Sequence, residues 1–227
     1  MSETIVRSGE DAQRRLRELG LRASYMDEAV HAGVEARRLR GEFEPRSAAG
    51  LRDWIARVGK LRSLIVAEMN WRFADPQNVP VVFDPDSKTA LGVLLGDNRT
   101  GNQYGKDGPR SKYPKGKAVS EGTAVRGGDS VLTFDVAQPN GRTQLTSDEL
   151  GEMDLWFLVT YSLTVPTDDG KRFEVHREVS FAEPIKTGSY ITRWRERLLL
   201  PKQTFDPVAQ PYGPEKPKDI DVYVAAK

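Results

Sequence analysis

The strongest constraint on this fold is a change of hydrophobic period near residue 80. Before it, apolar residues recur every three or four positions, the spacing that lines one face of an α-helix. After it they alternate, which lines one face of a β-strand. A chain that runs through its helices first and then through successive strands argues against a doubly wound parallel sheet. The expected class is α+β, with about three N-terminal helices packed with a mainly antiparallel β-sheet and an extended, Pro-rich C-terminal tail. By number, residues 1–72 form the helical region, 79–200 the β region and 201–227 the tail, either separate or united in one domain.

Local signals place the elements. Ser8 with Asp11 starts a short first helix that carries Leu16 and Leu19 and stops at Gly20. Ser24 with Asp27 repeats the device for a second helix from about Tyr25 to Arg40, with Met26, Val30, Gly33 and Val34 on one face. Arg37, Arg38 and Arg40 fall near its C-terminal end, where cations suit the helix dipole. Ser47 opens the third helix, in which Leu51, Trp54, Ile55, Val58, Leu61, Ile65 and Met69 predict one buried stripe.

Beyond Pro80, VPVVF and TALGVLL around the turn formers DPDSK predict a β-hairpin. SVLTFDVA at 130–137 reads as a strand ending at the turn QPNG. LWFLVTYSLTV and RFEVHREVSFA, joined by PTDDG, form the clearest hairpin: Leu155, Phe157, Val159, Tyr161, Leu163 and Val165 alternate, as do Phe173, Val175, Val179 and Phe181. One buried hairpin face is expected. Trp156 and Leu158 fall on the other side, to be covered by the third helix or by a partner. SYITRWRERLLL predicts a strand with Trp194, Leu198 and Leu200 opposite Arg193, Arg195 and Arg197, and DIDVYVA an edge strand in the tail.

Charge narrows the function. The 34 basic and 33 acidic side chains leave a formal charge of +1, so attraction for a polyanion must come from a local patch. That patch is the long basic Gly-rich loop at 96–128. Arg99, Lys106, Arg110, Lys112, Lys115 and Lys117 are interleaved there with Tyr104 and Tyr113, so cations can meet phosphates while rings stack on bases. The competing reading is a solvated connection. A phosphate loop of the GxxxxGK type fails: Asn102 stands where lysine is required, and Asp107 follows Gly105-Lys106.

Catalytic motifs are scarce. With no cysteine, disulfides, thiolate nucleophiles and sulfur-ligated metals are excluded. Neither GxSxG nor HExxH occurs. His31 reads as a helix-surface or packing residue, whereas Glu174, His176 and Glu178 share a strand face, either as cation ligands or as a polar exterior. Asp86-Ser87-Lys88 and Asp169-Gly170-Lys171 have the acid-x-lysine form of metal-dependent nucleases but sit where hairpin tips are predicted. Asp148, Glu149, Glu152 and Asp154 read as a helical turn capped by Thr146 or Ser147 rather than as a magnesium cage.

The expected function is a non-catalytic binding or adaptor protein, without a cofactor, that contacts nucleic acid or an acidic partner through the basic loop. A structural assembly subunit using the C-terminal tail comes next, then a metal-dependent nuclease or phosphodiesterase built on carboxylates. The N-terminus lacks the apolar core of a secretory signal, and no apolar run is long enough to span a bilayer. A cytoplasmic location is expected.

Overall fold

A computed structural model describes residues 3–39, 41–104, 108–123, 141–168 and 170–206. Its elements run β1 (Ile5–Arg7), α1 (Gly9–Glu18), α2 (Ala23–Arg38), α3 (Ala48–Met69), β2 (Arg72–Ala74), β3 (Val81–Asp84), β4 (Thr89–Leu95), α4 (Lys117–Gly122), α5 (Ser147–Gly151), β5 (Asp154–Thr167), β6 (Gly170–Ala182) and β7 (Trp194–Phe205). The α+β class and the three N-terminal helices are as expected. The described strands form one seven-stranded sheet in the order β1-β7-β6-β5-β4-β3-β2.

That sheet is mixed. Both predicted hairpins are present, β3 with β4 and β5 with β6. β4 pairs with β5 in parallel, however, and so does β1 with β7. A parallel neighbour requires a long crossover, and the chain between Leu95 and Asp154 supplies one. Strand β1 lies within the stretch read as helical and β2 starts at its last residue; at three residues each they are too short to show an alternation.

Both faces of the sheet are covered. On one, Trp156, Leu158, Val179, Leu198 and Leu200 join Leu16, Met26, Leu61 and Ile65 of the three N-terminal helices. On the other, Leu155, Phe157 and Val159 join Ala118, Val119, Leu150, Ile191 and Trp194. Double coverage explains why LWFLV is a continuous apolar run.

It also corrects the hairpin. Trp156 is opposite Phe181 and Leu158 opposite Val179, so the apolar series of β5 and that of β6 face opposite sides of the sheet. Trp156 is fully buried: Phe181 stacks on it at 5.2 Å between ring centroids, and Arg15 of α1 lies 5.8 Å from its centroid. Trp156 thus lies in the core that α1 and α3 share, with Arg15 of α1 over its ring, and presents no surface to a partner.

Three further expectations change. The second helix starts at Ala23 with Arg22 at its N-cap and no side-chain cap bond, so Ser24 lies inside the first turn. The stripe of α3 holds in its C-terminal half through Val58, Leu61 and Ile65, but in the N-terminal half Asp53 and Arg57 are buried while Leu51 and Ile55 stay 56% and 55% exposed. An ion pair faces α2 there, where Gly33 leaves room for it. In β7 a register irregularity pairs Ala182 with Trp194 but Phe181 with Glu196. The extra residue sends Trp194 to the second core and Leu198 and Leu200 to the first, so these three do not share a face.

Strand β7 continues to Phe205, past the predicted start of the tail. The predicted strand at 130–137, the edge strand DIDVYVA and the tail from residue 207 lie outside the described residues.

Candidate functional site

The glycine-rich segment is tied to the sheet and to the connection between β6 and β7. Trp194 Nε1 donates to the Pro109 carbonyl at 2.8 Å, Ser111 N to Ile191 O at 2.9 Å, Lys112 N to Leu95 O at 2.8 Å and Lys115 N to Ser189 O at 2.8 Å. At its C-terminal end the chain forms α4, which buries Ala118 and Val119. The predicted loop at 96–128 thus contains a helix at Lys117–Gly122, while 105–107 and 124–128 lie outside the described residues. Gly108 shows what a glycine does here. A Cβ at this position would sit 2.3 Å from Trp194 Cδ1, so the missing side chain lets the backbone approach the sheet rather than a ligand.

A buried charge network anchors the first part. Arg197 donates to Glu178 through Nε at 2.9 Å and Nη2 at 2.6 Å, and Nη2 also lies 3.3 Å from the Asn102 carbonyl. Glu178 accepts in addition from Gly101 N at 2.8 Å and Ser180 Oγ at 2.6 Å. Both side chains are almost wholly buried.

The predicted binding residues then separate. Arg99 is 4.0 Å from Asp97, and Lys117 pairs with Glu121 at 3.2 Å, one turn further along α4. Tyr104 is exposed and Lys106 lies outside the described residues. Arg110, Lys112, Tyr113 and Lys115 instead line two cavities, of about 750 and 600 Å³, that share Arg37, Gly50, Leu95 and Lys112. The opposite wall is the C-terminal end of α2 and the start of α3, with Arg37, Arg46, Ser47, Leu51 and Trp54; the apolar floor includes Val79, Pro80 and Val93.

The groove is cationic. Arg37, Arg46, Arg110, Lys112 and Lys115 line it, against Asp53 and Asp97. Asp53 pairs with Arg57, and Asp97 accepts from the Arg99 backbone N–H at 3.1 Å. Lys115 is the sharpest case. Its pKa is lowered by burial, with no acid among the causes. Arg110 stacks on Tyr190 at 3.8 Å and Lys112 sits 5.6 Å from the Tyr113 ring centroid. Sequence reasoning placed Arg37 only by its suitability for a helix end and did not single out Arg46; a cation at a helix end carries no sign of the distant segment it will face.

The carboxylate candidates take structural parts. Glu174, His176 and Glu178 do share one face of β6, but Glu174 binds Lys202 at 2.8 Å and Glu178 binds Arg197. The Lys202 ammonium holds the Glu174 carboxyl below its ordinary pKa. In the Asp86-Ser87-Lys88 triplet, Asp84 accepts from the backbone of Asp86 at 3.1 Å and of Ser87 at 3.4 Å, and Lys88 has φ 52°, which is turn chemistry. Asp169 of the second triplet lies outside the described residues. Thr146 and Glu149 form a reciprocal capping box on α5. Among the described residues no group of His, Asp and Glu is placed to hold a metal ion, and no helix is long and apolar enough to cross a membrane.

No protein-family model, curated protein or solved structure matches the chain.

Proposed function

We propose that this is a non-catalytic binding protein that holds an anionic partner, nucleic acid or an acidic protein, in the groove between the start of α3 and residues 110–116. The observation that carries the reading is the meeting of Arg37 and Arg46 from one wall with Arg110, Lys112 and Lys115 from the other. Cations converging across a cleft with apolar walls focus the field into it, although the chain carries a net charge of only +1. Lys115 adds a specific demand: it is partly buried with no acid among the described residues to neutralise it, and a bound carboxylate or phosphate would meet that need.

Fluorescence anisotropy with labelled polyglutamate and labelled oligothymidylate, in low and in moderate salt, tests this. At least one polyanion should bind and weaken as salt rises. Replacing Arg110, Lys112 and Lys115 together by Gln should weaken it roughly tenfold or more. Folding should survive, since burial already disfavours the Lys115 charge and the other two heads are exposed. Replacing Lys117, which pairs with Glu121 along α4 and lines neither cavity, should leave affinity near the original. Absence of binding at low salt, or equal losses in the two variants, overturns the reading.

A further inference from the structure

We infer that the partner is a protein segment alternating acidic with apolar side chains, rather than nucleic acid; this rests on the groove proposed above. A groove for single-stranded nucleic acid needs flat, open ring faces on which bases stack. Here the Tyr190 ring carries the Arg110 guanidinium at 3.8 Å, and Lys112 sits over Tyr113. Much of the remaining surface is apolar. Leu51 is 56% exposed, Trp54 is half-buried, and Val79 and Pro80 continue the floor towards Val93. Ile55, one helical turn beyond Leu51 and 55% exposed, carries that apolar surface past the groove along α3.

The charges suit the same occupant. Arg46 stands on the α3 side of the larger cavity, with Lys112 and Lys115 across from it. An extended peptide sends alternate side chains to opposite sides. Its apolar side chains can cover Leu51 and Trp54 while its carboxylates reach the basic rims, so specificity comes from the alternation and steering from the charge. A nucleic-acid strand spaces its phosphates with sugars and bases and offers no alkyl side chain to pack on Leu51. The formal charge of +1 also falls short of the strongly basic balance typical of nucleic-acid-binding domains.

The test uses the full chain and three labelled probes of equal formal charge: a peptide of about a dozen residues alternating Glu with Leu, Val or Phe, a polyglutamate, and an oligothymidylate. The alternating peptide should bind about tenfold tighter than either other probe, with the negative heat-capacity change of apolar burial. Leu51→Ser, at a half-exposed position, should shrink that preference severalfold, and a Lys112→Gln, Lys115→Gln double variant should weaken the alternating peptide roughly tenfold. If oligothymidylate or polyglutamate binds as tightly as the alternating peptide, this inference falls while the anionic groove stands. If none of the three binds, both fall.

Discussion

Two buried acid–arginine pairs behave differently in this molecule. Glu178 and Arg197, on neighbouring strands, form a closed set: both carboxylate oxygens accept from the guanidinium, Gly101 N and Ser180 Oγ also donate to Glu178, and the Asn102 carbonyl accepts from Arg197. Asp53 and Arg57, one turn apart on α3, are as deeply buried but less complete. Arg57 Nη2 reaches Asp53, whereas Nε and Nη1 have no hydrogen-bond partner among the described residues. Burial pushes the Arg57 guanidinium below its ordinary pKa even with Asp53 beside it. Burying charge is expensive, and the remaining donors and acceptors decide whether the pair offsets that cost. The saturated pair clamps residues 101–102 to the sheet, ahead of the wall that carries Lys112 and Lys115. The unsaturated pair lies under the opposite wall, where Asp53 borders the groove.

Breaking the saturated network should have the largest effect. Glu178→Gln removes the charge that compensates Arg197 and weakens the hold on Gly101, so a loss of about 3–5 kcal/mol is expected in chemical denaturation. A loss below about 1 kcal/mol would mean that this network does not anchor the segment. Next comes Gly33→Ala. An added Cβ would lie 2.3 Å from Asp53 Oδ1 and 2.9 Å from the Asp53 carbonyl oxygen, and the backbone oxygen cannot swing aside. Overpacking of this kind costs about 1–3 kcal/mol, and thermal unfolding should show it.

The smallest loss should come from deleting the unsaturated pair outright. Asp53→Leu with Arg57→Met removes the unmatched donors along with both charges, and stability should stay within about 1 kcal/mol of the original or rise. The same exchange at Glu178 and Arg197 should cost clearly more, because the Gly101 N–H and the Ser180 hydroxyl lose their buried acceptor. Equal outcomes at the two sites, read side by side in urea, would erase the contrast.

What could be read in advance followed from the range of the interactions. The β5–β6 hairpin, the DPDSK turn and the helical turn capped at Thr146 each depend on residues close in the chain, and each is present. The stripe of α3 was legible where neighbours are apolar and illegible at Asp53 and Arg57, because a period of hydrophobic residues says nothing about a buried ion pair. The basic segment was legible as charge, whereas the part of Gly108, which makes room for Trp194, depends on a residue 86 positions away.

From the amino-acid order alone came the α+β class, the succession of helices before strands and the hairpin turns, because local periodicity and turn chemistry act over a few residues. Tertiary structure decided which strands lie parallel, which sheet face each apolar series covers, and which of the scattered cations meet. Arg37 and Arg46 share a groove with Lys112 and Lys115 only because α2 and α3 pack beside the end of β4. That encounter is a property of packing between distant segments, and no short window of the chain contains it.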